Sequence, residues 1–147
     1  MTAFIPFTSD DEVAAIGAGL MDRTLPKPRW THGAHFAAAL WLLRERTDLD
    51  PSRDMPPMIR AYNDVTGVEN SDTSGYHETI TQASLRASRA FLASRPAGEA
   101  LYETCNALMA SPLGNRDWLL SYWSKGLLFS AAARRAWTPP DLQPTPF

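Results

Sequence analysis

Phe36-Ala37-Ala38-Ala39-Leu40-Trp41-Leu42-Leu43 runs for eight residues without a polar side chain. At helical spacing Phe36, Leu40 and Leu43 mark one face, while Ala37, Ala38, Ala39, Trp41 and Leu42 fill most of the rest. A helix that is apolar nearly all round must be covered on several sides, so this segment predicts a central helix with others packed about it. The run is far too short to cross a bilayer. Whatever the chain builds is arranged around residues 36–43.

The flanking sequence supplies the partners. Ser9-Asp10-Asp11-Glu12 has the capping-box pattern, and Val13, Ile16 and Leu20 follow at helical spacing, ending before Pro26. Thr31 can cap the central helix, which runs to about Arg46. Asp54 before Met55-Pro56-Pro57 predicts a third helix, with Met58, Tyr62 and Val65 as its buried stripe and Gly67 as its stop. Residues 67–75 are almost all turn-formers and read as a loop. A fourth helix is expected from about Tyr76 to Ser94, and a fifth from Gly98 to Ala110 with Leu101, Cys105 and Leu108 on one face. Asn115 is expected to cap a short sixth helix carrying Trp118, Leu119, Tyr122 and Trp123. Ser130 opens a last turn or two, and the Pro-rich tail 138–147 is expected to be extended. No strand-like alternation, repeat or linker is present. The expectation is a single all-α domain over 1–147, a helical bundle of four main helices with shorter C-terminal ones.

The chain carries a net charge of −2, which gives no electrostatic case for nucleic acid or an anionic membrane. Cys105 is the one cysteine, so no intramolecular disulfide can form; among apolar neighbours it reads as a small buried hydrophobe. Met1-Thr2-Ala3-Phe4-Ile5-Pro6-Phe7 lacks the basic segment and apolar core of a secretory signal, which predicts a cytoplasmic protein. Neither a P-loop nor a GxGxxG occurs, so no nucleotide cofactor is expected. Surplus apolar surface on the short C-terminal helices would suit a homodimer.

Chemistry concentrates in two patches that hold all three histidines. One is Trp30-Thr31-His32-Gly33-Ala34-His35; the other is Gly75-Tyr76-His77-Glu78-Thr79-Ile80-Thr81. Both fall at expected first turns of helices and could meet at one end of the domain. His32 and His35 are three apart and share a face, and Gly33 and Ala34 leave space beside them. His77, Thr81, Ser84 and Ser88 step down one side of the fourth helix, a small polar row fit to line a pocket or bond a neighbouring helix.

Three readings of these residues stand side by side. His32, His35 and His77 with a carboxylate or water would make a tetrahedral zinc site, or hold iron or manganese with open positions. Glu78 would then be the general base or fourth ligand, and Tyr76 or Thr81 would position substrate in a metal-dependent hydrolase or oxidoreductase. Alternatively, the same polar groups form a metal-free pocket for a small ligand or protein partner. In the third reading the imidazoles cap or bridge helices, and Glu78 sits in a first turn because the helix dipole favours it.

The stretch Leu25-Pro26-Lys27-Pro28-Arg29-Trp30-Thr31-His32-Gly33-Ala34-His35 with Ala39-Leu40-Trp41 resembles a family of small bacterial helical proteins of unassigned activity. Tyr62-Asn63, Gly75 to Thr81, Leu128-Phe129-Ser130 and Pro139-Pro140-Asp141-Leu142 extend the resemblance over most of the chain. It implies a stand-alone helical domain and carries no activity with it.

Overall fold

The central segment is buried as its composition requires. In the computed structural model, which describes residues 3–147, it lies within the second of seven α-helices. Met1 and Thr2, where the segment read as leaderless begins, lie outside the described residues. The helices are α1 (Asp10–Asp22), α2 (His32–Glu45), α3 (Pro51–Thr66), α4 (Glu78–Ala93), α5 (Leu101–Ala110), α6 (Lys125–Leu128) and α7 (Ala131–Arg135). Short 3-10 turns occupy Lys27–Arg29, Pro112–Gly114 and Trp118–Ser121. Among the described residues there is no strand, and no helix is long and apolar enough to cross a membrane.

Helix α2 packs against α1, α3, α4 and α5, with Phe36, Ala37, Ala38, Ala39, Leu40 and Leu42 all buried. The alanines let neighbouring helices approach from several directions, and the larger side chains fill what remains. Trp41 is half-buried on the α1 side, where its ring occupies the space a side chain at Gly17 would need.

Local signals explain most helix ends. Ser9 Oγ accepts the Glu12 N–H at 3.2 Å, and Glu12 Oε2 reaches back to the Thr8 N–H at 2.8 Å, one residue beyond the usual box. Thr31 Oγ1 accepts the Ala34 N–H and starts α2 where the sequence places it. Leu101, Cys105 and Leu108 are buried on α5, and burial pushes the Cys105 thiol up to about 12, far from reactivity at neutral pH. Helix α5 begins after Gly98, which turns at φ 82°. Ser130 caps α7.

Helix α3 departs from expectation. Its cap is Asp50, whose carboxylate accepts the Ser52 N–H, and Pro51 takes the first helical position. Pro56 and Pro57 therefore lie inside the helix. Pro56 has no N–H for the Ser52 carbonyl, and that carbonyl instead accepts Gln82 Nε2 of α4 at 2.8 Å. The buried stripe is Met55, Ile59 and Tyr62, one step round from the expected one, so Val65 is 59% exposed.

The C-terminal third is also corrected. Asn115 Oδ1 accepts the Asp117 N–H in a tight turn, and Trp118–Ser121 is a 3-10 turn, too short for an α-helical ladder. Helix α6, started by the Ser124 cap, has no counterpart in the sequence reading. The tail is extended and held down: Trp123 Nε1 donates to Thr138 O at 2.8 Å, and Leu142 N donates to Tyr122 O at 2.9 Å.

The α1–α2 contact makes Gly17 a sharp test of the packing. Gly17→Ala must displace the Trp41 ring, and overpacking of this kind costs about 1–3 kcal/mol. Urea unfolding should show that loss although alanine is the better helix former; an unchanged or raised midpoint would contradict the packing described.

Candidate functional site

Side chains on a helix lean toward its N-terminus, so a histidine in the first turn can meet the carbonyl one turn back. His35 does this. Its Nδ1–H donates to Thr31 O at 2.7 Å, and the same carbonyl accepts the His35 backbone N–H at 3.0 Å. Trp30 stacks on the imidazole with ring centres 3.8 Å apart, and is itself packed edge-on to Tyr62, whose hydroxyl donates to Leu25 O. The ring is thus held by a carbonyl at one edge and an indole on one face. Nε2, left unprotonated in this tautomer, has no partner among the described residues.

His32 is arranged in the opposite sense. Its Nε2–H donates to Leu113 O at 2.9 Å, tying α2 to the turn after α5, and its Nδ1 has no partner among the described residues. Phe36 meets this ring edge-on. The space expected beside Gly33 exists but is taken by Phe4: a Cβ on Gly33 would stand 2.8 Å from the Phe4 ring.

The two imidazoles line a cavity of about 290 Å³ between the start of α2 and the middle of α4. Trp30, Phe36, Trp118 and Phe129 supply aromatic wall, Ile80 and Ser84 come from α4, and Arg116 and Asp117 come from the turn before Trp118. His35 has protein mass around it, yet it is an exposed residue and it lines the cavity. Desolvation by the protein packed about it lowers its pKa to about 4, opposed by the Thr31 bond and helped by the charges of His32 and Arg116. Burial first, and Arg116 next among the opposing charges, also lowers His32. Both rings are neutral at pH 7.

His77 serves a different purpose. It is the N-cap of α4 rather than a first-turn residue: Nδ1 accepts the Ile80 N–H at 3.1 Å, and Nε2–H donates to Leu128 O at 2.7 Å. Both ring nitrogens are used, so the ring has no lone pair left for a metal. Burial lowers its pKa, with Arg134 adding to the effect. Its neighbours form a joint as well. Tyr76 is buried, donates to Glu78 Oε1 at 2.6 Å and carries the Arg60 guanidinium 4.2 Å over its ring; burial and then the Glu78 bond raise its pKa. Gln82 Nε2 also reaches Glu78, at 3.2 Å, and Thr81 Oγ1 donates to His77 O.

The two patches therefore do not form one site. His32 and His35 face the cavity; His77, Tyr76, Glu78 and Thr81 do not line it. Among the described residues no group of three or more His, Cys, Asp or Glu is placed to hold a metal ion. The protein offers His32 Nδ1 and His35 Nε2, and no third ligand accompanies them, so the expected three-histidine set with Glu78 as base is not assembled. Of the polar row on α4, Ser84 reaches the cavity and Ser88 is fully buried with its hydroxyl unpaired among the described residues.

Sequence reasoning missed Arg116 and Asp117, which sit in a turn with no periodicity to mark them, and placed Trp118 on a short helix without assigning it to a pocket. It also passed over Thr79, buried on the far side of α4. There its hydroxyl donates to Ala133 O at 2.7 Å and accepts the Thr138 N–H, joining α7 and the tail to the bundle.

The joint at His77 predicts a stability cost without a pocket effect. His77→Ala removes a cap and orphans the Leu128 carbonyl, a loss of about 1–3 kcal/mol in urea unfolding, and His77→Asn should recover the cap's share. All three histidines have native pKa values below the unfolded value of 6.5, so the unfolded chain takes up protons first. Their contribution is full above pH 6.5 and is lost as pH falls toward the native values. Stability should drop between pH 7 and 5, less steeply in His77→Asn; a flat wild-type profile would contradict this.

No protein-family model, no curated protein and no solved structure matches this chain.

Proposed function

We propose that this chain is a small-ligand-binding domain whose site is the cavity between α2 and α4, used without a bound metal. The observation that carries the reading is the tautomer of His35: Thr31 O takes the Nδ1–H and leaves Nε2 as an open acceptor in an aromatic-walled cavity. Asp117 adds a second acceptor and Ser84 a hydroxyl, while Trp30, Phe36 and Trp118 offer flat apolar surface. These features suit a planar molecule that presents an N–H or O–H to His35. At about 290 Å³ the cavity is at the small end of ligand sites, so the ligand is correspondingly small.

The metal reading rests on less. The N–H of each of His32 and His35 is held by a carbonyl, as in metal-ligating imidazoles, but two protein nitrogens alone do not make a closed site. No reaction step is derived through a metal. A catalytic use of His35 as a base would need substrate in the same cavity, so ligand binding is the property to test first.

Indole and phenol, followed by ligand-observed NMR, are the first probes, with N-methylindole and anisole as analogues that lack the donor. Indole and phenol should bind and the analogues should bind at least about threefold more weakly, the net worth of one hydrogen bond to an acceptor that is otherwise hydrated. His35→Ala should abolish that difference, and His77→Asn should leave it intact. Equal binding of donors and analogues would sink the reading. Elemental analysis of protein purified without a histidine tag runs alongside. Near-stoichiometric zinc, iron or manganese that is lost in His32→Ala and His35→Ala would replace the proposal with the metal reading.

A further inference from the structure

A second cavity, of about 440 Å³, lies on the other side of His32 and shares Trp30, His32 and Arg116 with the first. Its composition differs. Phe4, Ile5, Phe7, Pro28 and Met109 make most of its wall, and Arg116 is the one charged side chain that lines it. Asp117, the carboxylate of the first cavity, is not among its lining residues. Arg116 has no ion-pair partner among the described residues; the ion pairs present engage Arg44, Arg46, Arg53, Arg95 and Arg135 instead.

The apolar wall is a built feature. Phe7 is pinned to α5 by a two-point pairing with Asn106, its N–H donating to Oδ1 and its carbonyl accepting from Nδ2, each at 2.9 Å. Phe4 packs edge-on against Phe7 and into the room left by Gly33, where any side chain would collide with it. The extended segment before α1 is thereby laid across the mouth of α2 with its aromatic rings turned inward. A cavity with apolar walls and a single unpaired cation in its lining, the exposed Arg116, selects by charge as well as by shape. A neutral apolar guest would leave the guanidinium without a counter-charge; a dianion would leave one of its own charges uncompensated.

We propose that this second cavity binds a small amphipathic carboxylate, its chain against Phe4, Phe7 and Met109 and its carboxylate on the Arg116 guanidinium. The Thr31 hydroxyl, from a residue that also lines the cavity, is a further donor. The site shares Trp30, His32 and Arg116 with the first but needs neither His35 nor Asp117, and it stands whether or not indole-like molecules bind beyond His32.

The test is calorimetric titration of the full chain with sodium octanoate, with octanol and octylamine as neutral and cationic controls of equal length. Octanoate should bind and octylamine should not, and butyrate should bind at least tenfold more weakly than octanoate because its chain is too short to cover the wall. Arg116→Gln should reduce octanoate affinity at least tenfold and leave octanol unchanged. Met109→Trp should block octanoate by filling the chamber. Because a core change can impair folding, Ile5→Glu is the second variant: Ile5 is 79% exposed, so the substitution is tolerated, and the new carboxylate should repel the anion. Ser84→Trp, which fills only the first cavity, should leave octanoate binding in place. Loss of octanoate binding in Ser84→Trp with retention in Met109→Trp would assign the anion to the first cavity and overturn the proposal. Equal affinity of Arg116→Gln and wild type, or no octanoate binding at millimolar concentration, would overturn it as well.

Discussion

Burial of α2 on nearly every side is the constraint from which the rest of the molecule follows. A segment whose apolar residues leave no wet face can be satisfied only inside a ring of other helices, and α1, α3, α4 and α5 provide that ring. The helix meets water chiefly at its two ends, and the first turn carries His32 and His35. The cavities lie there because the bundle closes tightly around Phe36 to Leu42 and loosens only where the polar residues begin. Position along one helix thus separates structure from candidate function.

The chain uses imidazole in three distinct ways within one small fold. His77 spends both nitrogens on backbone groups and joins α4 to α6. His32 spends one nitrogen on the loop after α5, and His35 spends one on its own helix's cap. What distinguishes the second pair is a nitrogen left without a protein partner beside open space. Nitrogens that are fully bonded hold helices together; nitrogens that are half bonded are available to something else.

Much of this was legible in the sequence because helix boundaries are set by short-range chemistry. Ser9, Thr31 and Ser130 accept N–H groups three residues on, and nothing distant is needed to recognise them. The failures share a cause. Asp50 and Asp54 are both reasonable caps next to prolines, and the choice between them depends on whether α4 can supply Gln82 to a carbonyl that Pro56 leaves free. Val65 continues the expected stripe of α3, but the registry of α3 against α1, α2 and α4 buries Ile59 instead. The grouping of histidines was visible, and His32 and His35 do fall in the first turn of α2. That His77 turns away from the other two, and that Arg116 and Asp117 arrive from a loop some eighty residues later, depends on tertiary placement that no local spacing encodes.

The Ser52 carbonyl has a dynamic consequence. Inside an ordinary helix each carbonyl is held by its own chain, and one turn can fray while its neighbours stay shut. Here Pro56 has removed the internal donor, and the vacancy is filled from α4 by a side chain whose amide also reaches Glu78. Opening the first turn of α3 therefore breaks a bond that belongs to another helix, and the disturbance arrives at the Gln82–Glu78–Tyr76 contacts. Local unfolding of these two helices is consequently a shared event, a single cooperative unit drawn across a proline that would otherwise mark a weak point.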